Sequence, residues 1–457
     1  MTRKSIYAGL DIGSNSIKLL VSEYVKGESN VIAVSNVKST GITEGIIVDI
    51  DIAAKAIKTA VTQVEEKSGI TLESVSVGFS ATSLHSTQTQ GMISVASESQ
   101  EITDNDVSNV IKSALMKTTT ADDELLQFVP DEFVVDGFHG IKDPRGMMGV
   151  RLEVKGNLYS GSKTLTHNIR KAVEMAGLRL DRIVVAPLAV LQSVLNEGER
   201  EFGTIVIDLG GGQTSVAIMA DQKLQYTNIY KEGGEYITKD ISKVLTTSQS
   251  IAESIQYSNG AAYASLASDQ EDIHVEVIGK EGAITITERY LAEVIEARLR
   301  QLFEKIRVDL ERVRGLALPG GIVLIGGVAT LPGVVELAQE VFGTHVKLSV
   351  PNQVGIRNPG YATVNSIVTF VGDLSEVDYL IENTLQGETN AMKKASSHFH
   401  PFSSMRGATG NKPSSEEDIV EETDALFYPE ATNSDYTSEN TSVSNKVKGF
   451  FNKMFDD

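Results

Sequence analysis

The chain has 457 residues, 41% of them hydrophobic, a formal net charge of −20 at pH 7 and no cysteine. That length holds two or three domains with real cores. The acidic balance argues against nucleic acid as the main partner, since phosphate binding needs a basic face. Lack of cysteine excludes disulfides and thiolate metal sites, and it suits a reducing cytoplasm.

In chain order, the N-terminal MTRKSIYAGLDIG runs at once into a strand, with no long apolar run of the kind a signal peptide carries. LDIGSNSIKLLV (Leu10 to Val21) reads as strand, Asp, aliphatic, Gly, small polar turn and second strand. Residues 84 to 162 read as a small α/β module. IDLGGGQTSVAI (Ile207 to Ile218) repeats the hairpin plan, which suggests a duplicated domain. Residues 222 to 312 are mostly helical, with ERYLAEVIEARLRQLFEKIRVDLERV long and strongly periodic. GGIVLIGGVATLPGVVELAQEVFG (Gly320 to Gly343) reads as strand, glycine turn and an amphipathic helix from near Pro332 to Gly343.

Composition changes near Gly387. Between Glu416 and Glu439 there are nine Asp or Glu and no Lys or Arg, the pattern of a solvated linker. As a flexible coil, residues 387 to 444 span roughly 40 Å root-mean-square. The pair His398 and His400 lies in this polar part without companion ligands, so it predicts no metal site. The chain closes on KVKGFFNKMFDD, where Val447, Phe450, Phe451, Met454 and Phe455 make one helical stripe beside Lys446, Lys448 and Lys453. No stretch approaches the ~20 apolar residues of a membrane span. The closing segment instead has the character of an interfacial helix for an anionic surface, weak alone and strengthened by multiplicity.

A glycine turn after a strand presents several N–H groups to phosphate oxygens. The Asp at each strand end can hold Mg²⁺ or its waters. Two such hairpins and a separate strand–Gly–Gly element supply three distinct tasks, two clamping phosphates and one approaching a nucleoside. The common GxxxxGK[ST] loop is absent.

These three motifs resemble the actin, chaperone and sugar-kinase ATPase superfamily. GITEGIIVDIDIAAKAIKTAV (Gly41 to Val61), VPDEFVVDGFHGIKDPRGMMGVRLEV (Val129 to Val154) and GGEYITKDIS (Gly233 to Ser242) narrow the resemblance to the FtsA family of bacterial cell-division proteins, over roughly residues 5 to 385. The resemblance implies an α/β, actin-like duplicated fold with two halves around a nucleotide cleft. Residues 1–83 and 163–198 would form one half, and 199–221 with 313–386 the other. An FtsA-type insert would cover 84–162, a helix-rich subdomain 222–312, a linker 387–444 and a membrane-targeting helix 445–457.

The resemblance also implies ATP, with Asp11 and Asp208 serving Mg²⁺ through water. Gly13, Ser14, Asn15 and Ser16 would cradle β-phosphate, with Lys18 reaching toward phosphate charge. Gly210, Gly211, Gly212, Gln213 and Thr214 would take the terminal phosphate, and Gly326, Gly327 and Val328 would flank the adenosine. Glu253 would face the ribose, with Gly234 and Lys239 on the same wall. Three departures stand out: Gln256 replaces a common lysine, Val328 replaces a small residue, and Leu188 falls where actin carries a water-orienting glutamine. ATP binding with slow or no hydrolysis is therefore expected, because leucine cannot position water.

The partners implied are the C-terminal tail of the tubulin-like FtsZ, at Arg298, Arg300 and Gln301, further copies of the chain in a filament, and later division proteins through the insert. The implied location is the cytoplasmic face of the cell membrane at the division site, as a peripheral protein. A small-molecule kinase of the same superfamily would need an acidic base beside a hydroxyl acceptor, and no candidate is evident. For another actin-like filament protein or a pilus-assembly ATPase, the 129–154 stretch and the long linker are out of place.

Overall fold

The computed structural model describes residues 5–397 except 26–27, 97–98, 117–121 and 280–281. The linker beyond Ser397 and the terminal stripe of Lys446, Val447, Lys448, Phe450, Phe451, Lys453, Met454 and Phe455 lie outside the described residues. Met1–Lys393 belong to one compact unit.

The duplication is visible in two five-stranded sheets of identical plan. In the first, Ser5–Ile12, Ser16–Val25 and Glu28–Lys38 form an antiparallel meander, and Ser74–Phe79 and Arg179–Val185 extend it in parallel from the Ser5–Ile12 side. The second repeats this with Thr204–Leu209, Thr214–Ala220 and Lys223–Tyr230, then Ile322–Ile325 and Val346–Leu348 in parallel. Lys223–Tyr230 is thus a strand of the second sheet, and the helix-rich subdomain begins after it rather than at 222.

Each sheet is covered on both faces, which explains strands that are nearly all apolar. On the first, Leu10, Ile17 and Leu19 pack with Ile57, Ala60 and Val64 of the helix Ile50–Ser68. Leu20 turns the other way, onto Val364 and Val368 of the helix Ala362–Gly372. In the second sheet the period of two divides one strand between two cores. Ile205 and Ile207 face the helical subdomain with Phe303 and Ile306 of the long helix Glu288–Arg312. Val206 faces a separate cluster with Phe79, Leu188 and Leu191, and this cluster joins the two halves.

The insert is a four-stranded sheet, Leu84–Ser94, Arg151–Ser162, Asp123–Val135 and Phe138–Ile141 in that spatial order. It packs on the helix Asp104–Leu115, whose start is fixed by a reciprocal Thr103–Asp106 capping box. The last helix among the described residues, Glu376–Ser397, departs from expectation twice. It runs past Gly387, where the change of composition suggests that the linker begins, and it buries Val377, Ile381 and Leu385 in the insert's core rather than in the second half. An apolar stripe shows that a helix has a buried face and does not say which surface receives it.

This last helix carries a buried acid. Glu382 is 7% exposed, and burial pushes its carboxyl up to about 7, with Asp378 adding to the effect and Arg182 opposing it. Folding therefore favours the neutral acid. The stabilisation is present at low pH and is lost as pH rises through about 7. The full penalty for the charged form is on the order of 3 kcal/mol, since each tenfold change in proton affinity is worth about 1.4 kcal/mol. Glu382→Gln should raise the melting temperature at pH 8 by several degrees and change it little at pH 5. Equal gains at both pH values would assign the effect to packing.

Candidate functional site

A cleft of about 430 Å³ is lined by both hairpin turns, Gly326–Val328 and the 45–47 segment. The two turns close in the same way. Gly13 N–H donates to Ser16 O at 3.1 Å, and Gly210 N–H to Gln213 O at 3.1 Å. They face each other at contact distance. A Cβ at Gly211 would stand 2.5 Å from the Asn15 Cβ, and one at Gly212 would stand 2.4 Å from the Ser14 Cβ. Glycine is needed here for approach rather than for turn conformation.

At the strand ends, Asp11 lies 3.6 Å from Lys18 Nζ, and Asp208 accepts from Thr363 Oγ1 at 2.8 Å. Burial raises the Asp208 carboxyl above the ordinary carboxylate range. The Thr363 bond and Lys18 oppose this, while the Asp11 charge adds to it. Two carboxylates thus share one lysine, an excess of negative charge that a divalent cation would relieve. Among the described residues no group of three or more His, Cys, Asp or Glu could hold a metal, so the two aspartates have no third such ligand there. Gly326 has φ +96°, and a Cβ there would meet Asp208 Oδ1 at 2.4 Å, which ties the third element to the second strand end.

The residues predicted for the cleft divide. Asp11, Gly13, Ser14, Asn15, Ser16, Lys18, Asp208, Gly210, Gly211, Gly212, Gln213, Gly326, Gly327 and Val328 all line it. Thr214 does not: it is buried, and its hydroxyl donates to Glu232 O at 2.9 Å. Gly234 stands behind the wall, where a Cβ would press on Val328 Cγ2 at 2.9 Å. Lys239 is exposed with its ammonium 4.8 Å from the Tyr236 ring centre, and Glu253 lies 3.9 Å from Lys38. Neither of these lines the cleft. Gln256, in the place of the usual lysine, is a packing residue that accepts from Thr238 Oγ1 at 2.5 Å.

Leu188 is buried in the core between the halves, so the wall beside it is formed by Ala186, Pro187 and Val190. Sequence reasoning missed Tyr257, Asn358, Thr363 and the 45–47 segment, all of which line the cleft. In the sequence Asn358-Pro359-Gly360 signals only a turn.

The partner residues require correction. Arg298 is 6% exposed. Its Nε donates to Asp240 Oδ2 at 2.6 Å, and one terminal nitrogen donates to Gln301 Oε1 at 2.7 Å and lies 3.5 Å from Glu232. Its charge is consumed inside the subdomain, with Gln301 as an internal partner. Arg300 is partly exposed and pairs with Glu296 at 2.7 Å and Glu340 at 3.0 Å. Arg298→Glu would press a third acid against Asp240 and Glu232, at a cost of about 3–5 kcal/mol. A large drop in melting temperature is expected before any partner is added; an unchanged melt would place the side chain at the surface.

Two sheets of one plan, with facing glycine turns between them, define the actin-like class of ATPase folds. A solved structure titled "PilM-PilN type IV pilus biogenesis complex" aligns with 82% of this chain and 100% of that chain at TM-score 0.55 and 16% identity, a likeness of fold. Residues 205–366 match the family model "Cell division protein FtsA", and residues 81–160 match "SHS2 domain inserted in FTSA". Cell division protein FtsA of Streptococcus pneumoniae serotype 2 is 56% identical over 390 residues, 85% of each chain. That of Enterococcus hirae is 47% identical over 460 residues, 100% of each, and that of Escherichia coli K12 is 32% identical over 403 residues, 86% of this chain and 94% of that one. The chain belongs to the FtsA family of cell-division proteins.

Proposed function

We propose that this protein binds ATP with Mg²⁺ in the cleft, assembles with its own copies, and ties FtsZ filaments to the cytoplasmic membrane surface at the division site. The observation that carries the nucleotide reading is the pair of glycine turns in contact across the cleft, each led by an aspartate. Ser14, Asn15 and Ser16 would donate to β-phosphate, Lys18 would offset charge, and the Gly210–Gln213 turn would hold the terminal phosphate. Asp11 and Asp208 fit a cation held through water. When bound, Mg²⁺ would supply charge neutralisation at the phosphates. The apolar wall of Ala186, Pro187 and Val190 offers nothing to orient a water, which supports slow hydrolysis.

Membrane binding rests on the terminal stripe and its lysines. Among the described residues no helix is long and apolar enough to cross a membrane. FtsZ would be received on the helical subdomain, where Arg300 remains a candidate contact while Arg298 and Gln301 serve internal structure. Later division proteins would be recruited through the insert.

Asp208→Asn should weaken equilibrium Mg²⁺–ATP binding at least about tenfold, the loss of roughly 1.4 kcal/mol. Unchanged affinity would remove the cleft reading, and phosphate release at the rate of an efficient ATPase would remove the slow-hydrolysis reading. The membrane half is tested by co-sedimentation with anionic vesicles and ATP, comparing the full chain with one ending at Val443. Only the full chain should pellet with lipid. If both forms stay in the supernatant, the terminal segment serves another surface.

A further inference from the structure

The stretch Gly41 to Asp49 is used by none of the roles above, yet its Gly45, Ile46 and Ile47 line the cleft. Ile42–Thr43 and Ile46–Ile47 form a miniature antiparallel hairpin. Its two turn residues, Glu44 and Gly45, both have positive φ, 51° and 73°. This is the primed turn geometry that short hairpins favour, although glutamate rarely adopts the left-handed region and needs its surroundings to hold it there. The base is firmly rooted. Ile42 and Ile47 are buried in the first core, and Asn168 Nδ2 donates to Ile47 O at 3.1 Å.

The tip touches both phosphate turns. Gly45 N–H donates to Ser14 Oγ at 2.7 Å, which leaves the Ser14 hydroxyl proton free to donate elsewhere. On the other side, a Cβ at Gly45 would stand 3.0 Å from both Nε2 and Oε1 of Gln213. Gln213 lines the cleft, and its Oε1 is buried without a hydrogen-bond partner among the described residues. A buried carboxamide oxygen without a partner is costly unless a ligand or its water supplies the missing bond. Across the cleft, the Glu44 carboxylate lies 2.6 Å from Lys231, which follows a strand of the opposite half.

Resting on the nucleotide reading, we propose that the Glu44–Gly45 tip is a third wall of the phosphate site, specific for the terminal phosphate and latched across the cleft by Glu44–Lys231. Ser14, Gln213 and the tip converge where the third phosphate of a triphosphate would lie. The Ser14 hydroxyl and the Gln213 amide N–H would donate to its oxygens, while Gln213 Oε1 accepts from a neighbouring water. A diphosphate still meets Ser14 through its β-phosphate but leaves the Gln213 amide unused. The latch would then select triphosphate over diphosphate and loosen when the terminal phosphate is lost.

The test compares affinity for a fluorescent non-hydrolysable ATP analogue and for the matching ADP, each with Mg²⁺. The full chain is taken as wild type, Glu44→Gln, Lys231→Gln and the reversal Glu44→Lys with Lys231→Glu. Each single change should weaken the triphosphate about two- to fivefold, the size expected for an exposed ion pair. Diphosphate affinity should stay the same, and the reversal should restore the triphosphate. Equal losses for both nucleotides, or no loss for either, would overturn the proposal while leaving the nucleotide reading in place. A wild-type chain that binds neither nucleotide would overturn both. Gly45→Ala gives a second arm, since its Cβ would meet Gln213. With its melting temperature preserved, a triphosphate-selective loss supports the wall, and retained discrimination overturns it.

Discussion

The structure depends on the approach of two backbones. Gly211 and Gly212 lie so close to Asn15 and Ser14 that no side chain fits between them. Such contact is possible only if the two sheets are held at a fixed spacing. The cluster of Phe79, Leu188, Leu191, Val206, Met219 and Ile325 provides this, because it belongs to both halves at once. Leucine at 188 is therefore read best as part of the joint. A polar residue pointing into this cluster would need a partner that it does not contain. The apolar cleft wall beside it follows from the same packing.

A second consequence concerns charge. Near the end of its strand, Asp208 carries its carboxylate to the cleft, where Thr363, Lys18 and Asp11 are its neighbours. The helical subdomain handles charge differently. There Arg298 is enclosed by Asp240, Gln301 and Glu232, an arrangement that fixes the packing of the long helix against Gly234–Leu245. An arginine so placed cannot release its partners to a peptide without leaving acids buried and unpaired. Arg300, by contrast, belongs to a partly exposed network with Glu296, Glu340 and Tyr263, and Glu340 lies on the helix Val334–Phe342 of the second half.

The insert and the last helix form a third linked group. Val377, Ile381 and Leu385 complete the insert's core, while Gln386 Nε2 donates to Asp181 O of the first sheet's edge strand. Tyr379 lies under the Arg182 guanidinium, 5.2 Å from ring centre to carbon. One helix thus fastens the insert to the first half.

What the sequence determined by itself was local. Asp, aliphatic and Gly at a strand end and a glycine turn before a helix are chemistry set within a few residues, so both hairpins and the Gly326–Val328 element were legible. The duplication was legible too, because it repeats a pattern of neighbours. Tertiary structure decided which way each side chain finally points. Thr214 lies between cleft residues in sequence, yet its hydroxyl is turned to Glu232 O. Thr363 reaches Asp208 across 155 positions, and Tyr257 and the Glu44–Gly45 tip enter the cleft from elements that carry no signal of it. The periodicity of the long helix puts Arg298 on its apolar stripe, three residues after Ile295 and four before Leu302, but the acids that hold its charge there, Asp240 and Glu232, are neighbours only after folding. Contacts between distant segments depend on how the sheets and helices stack, and that information is spread over the whole chain rather than written in any one stretch.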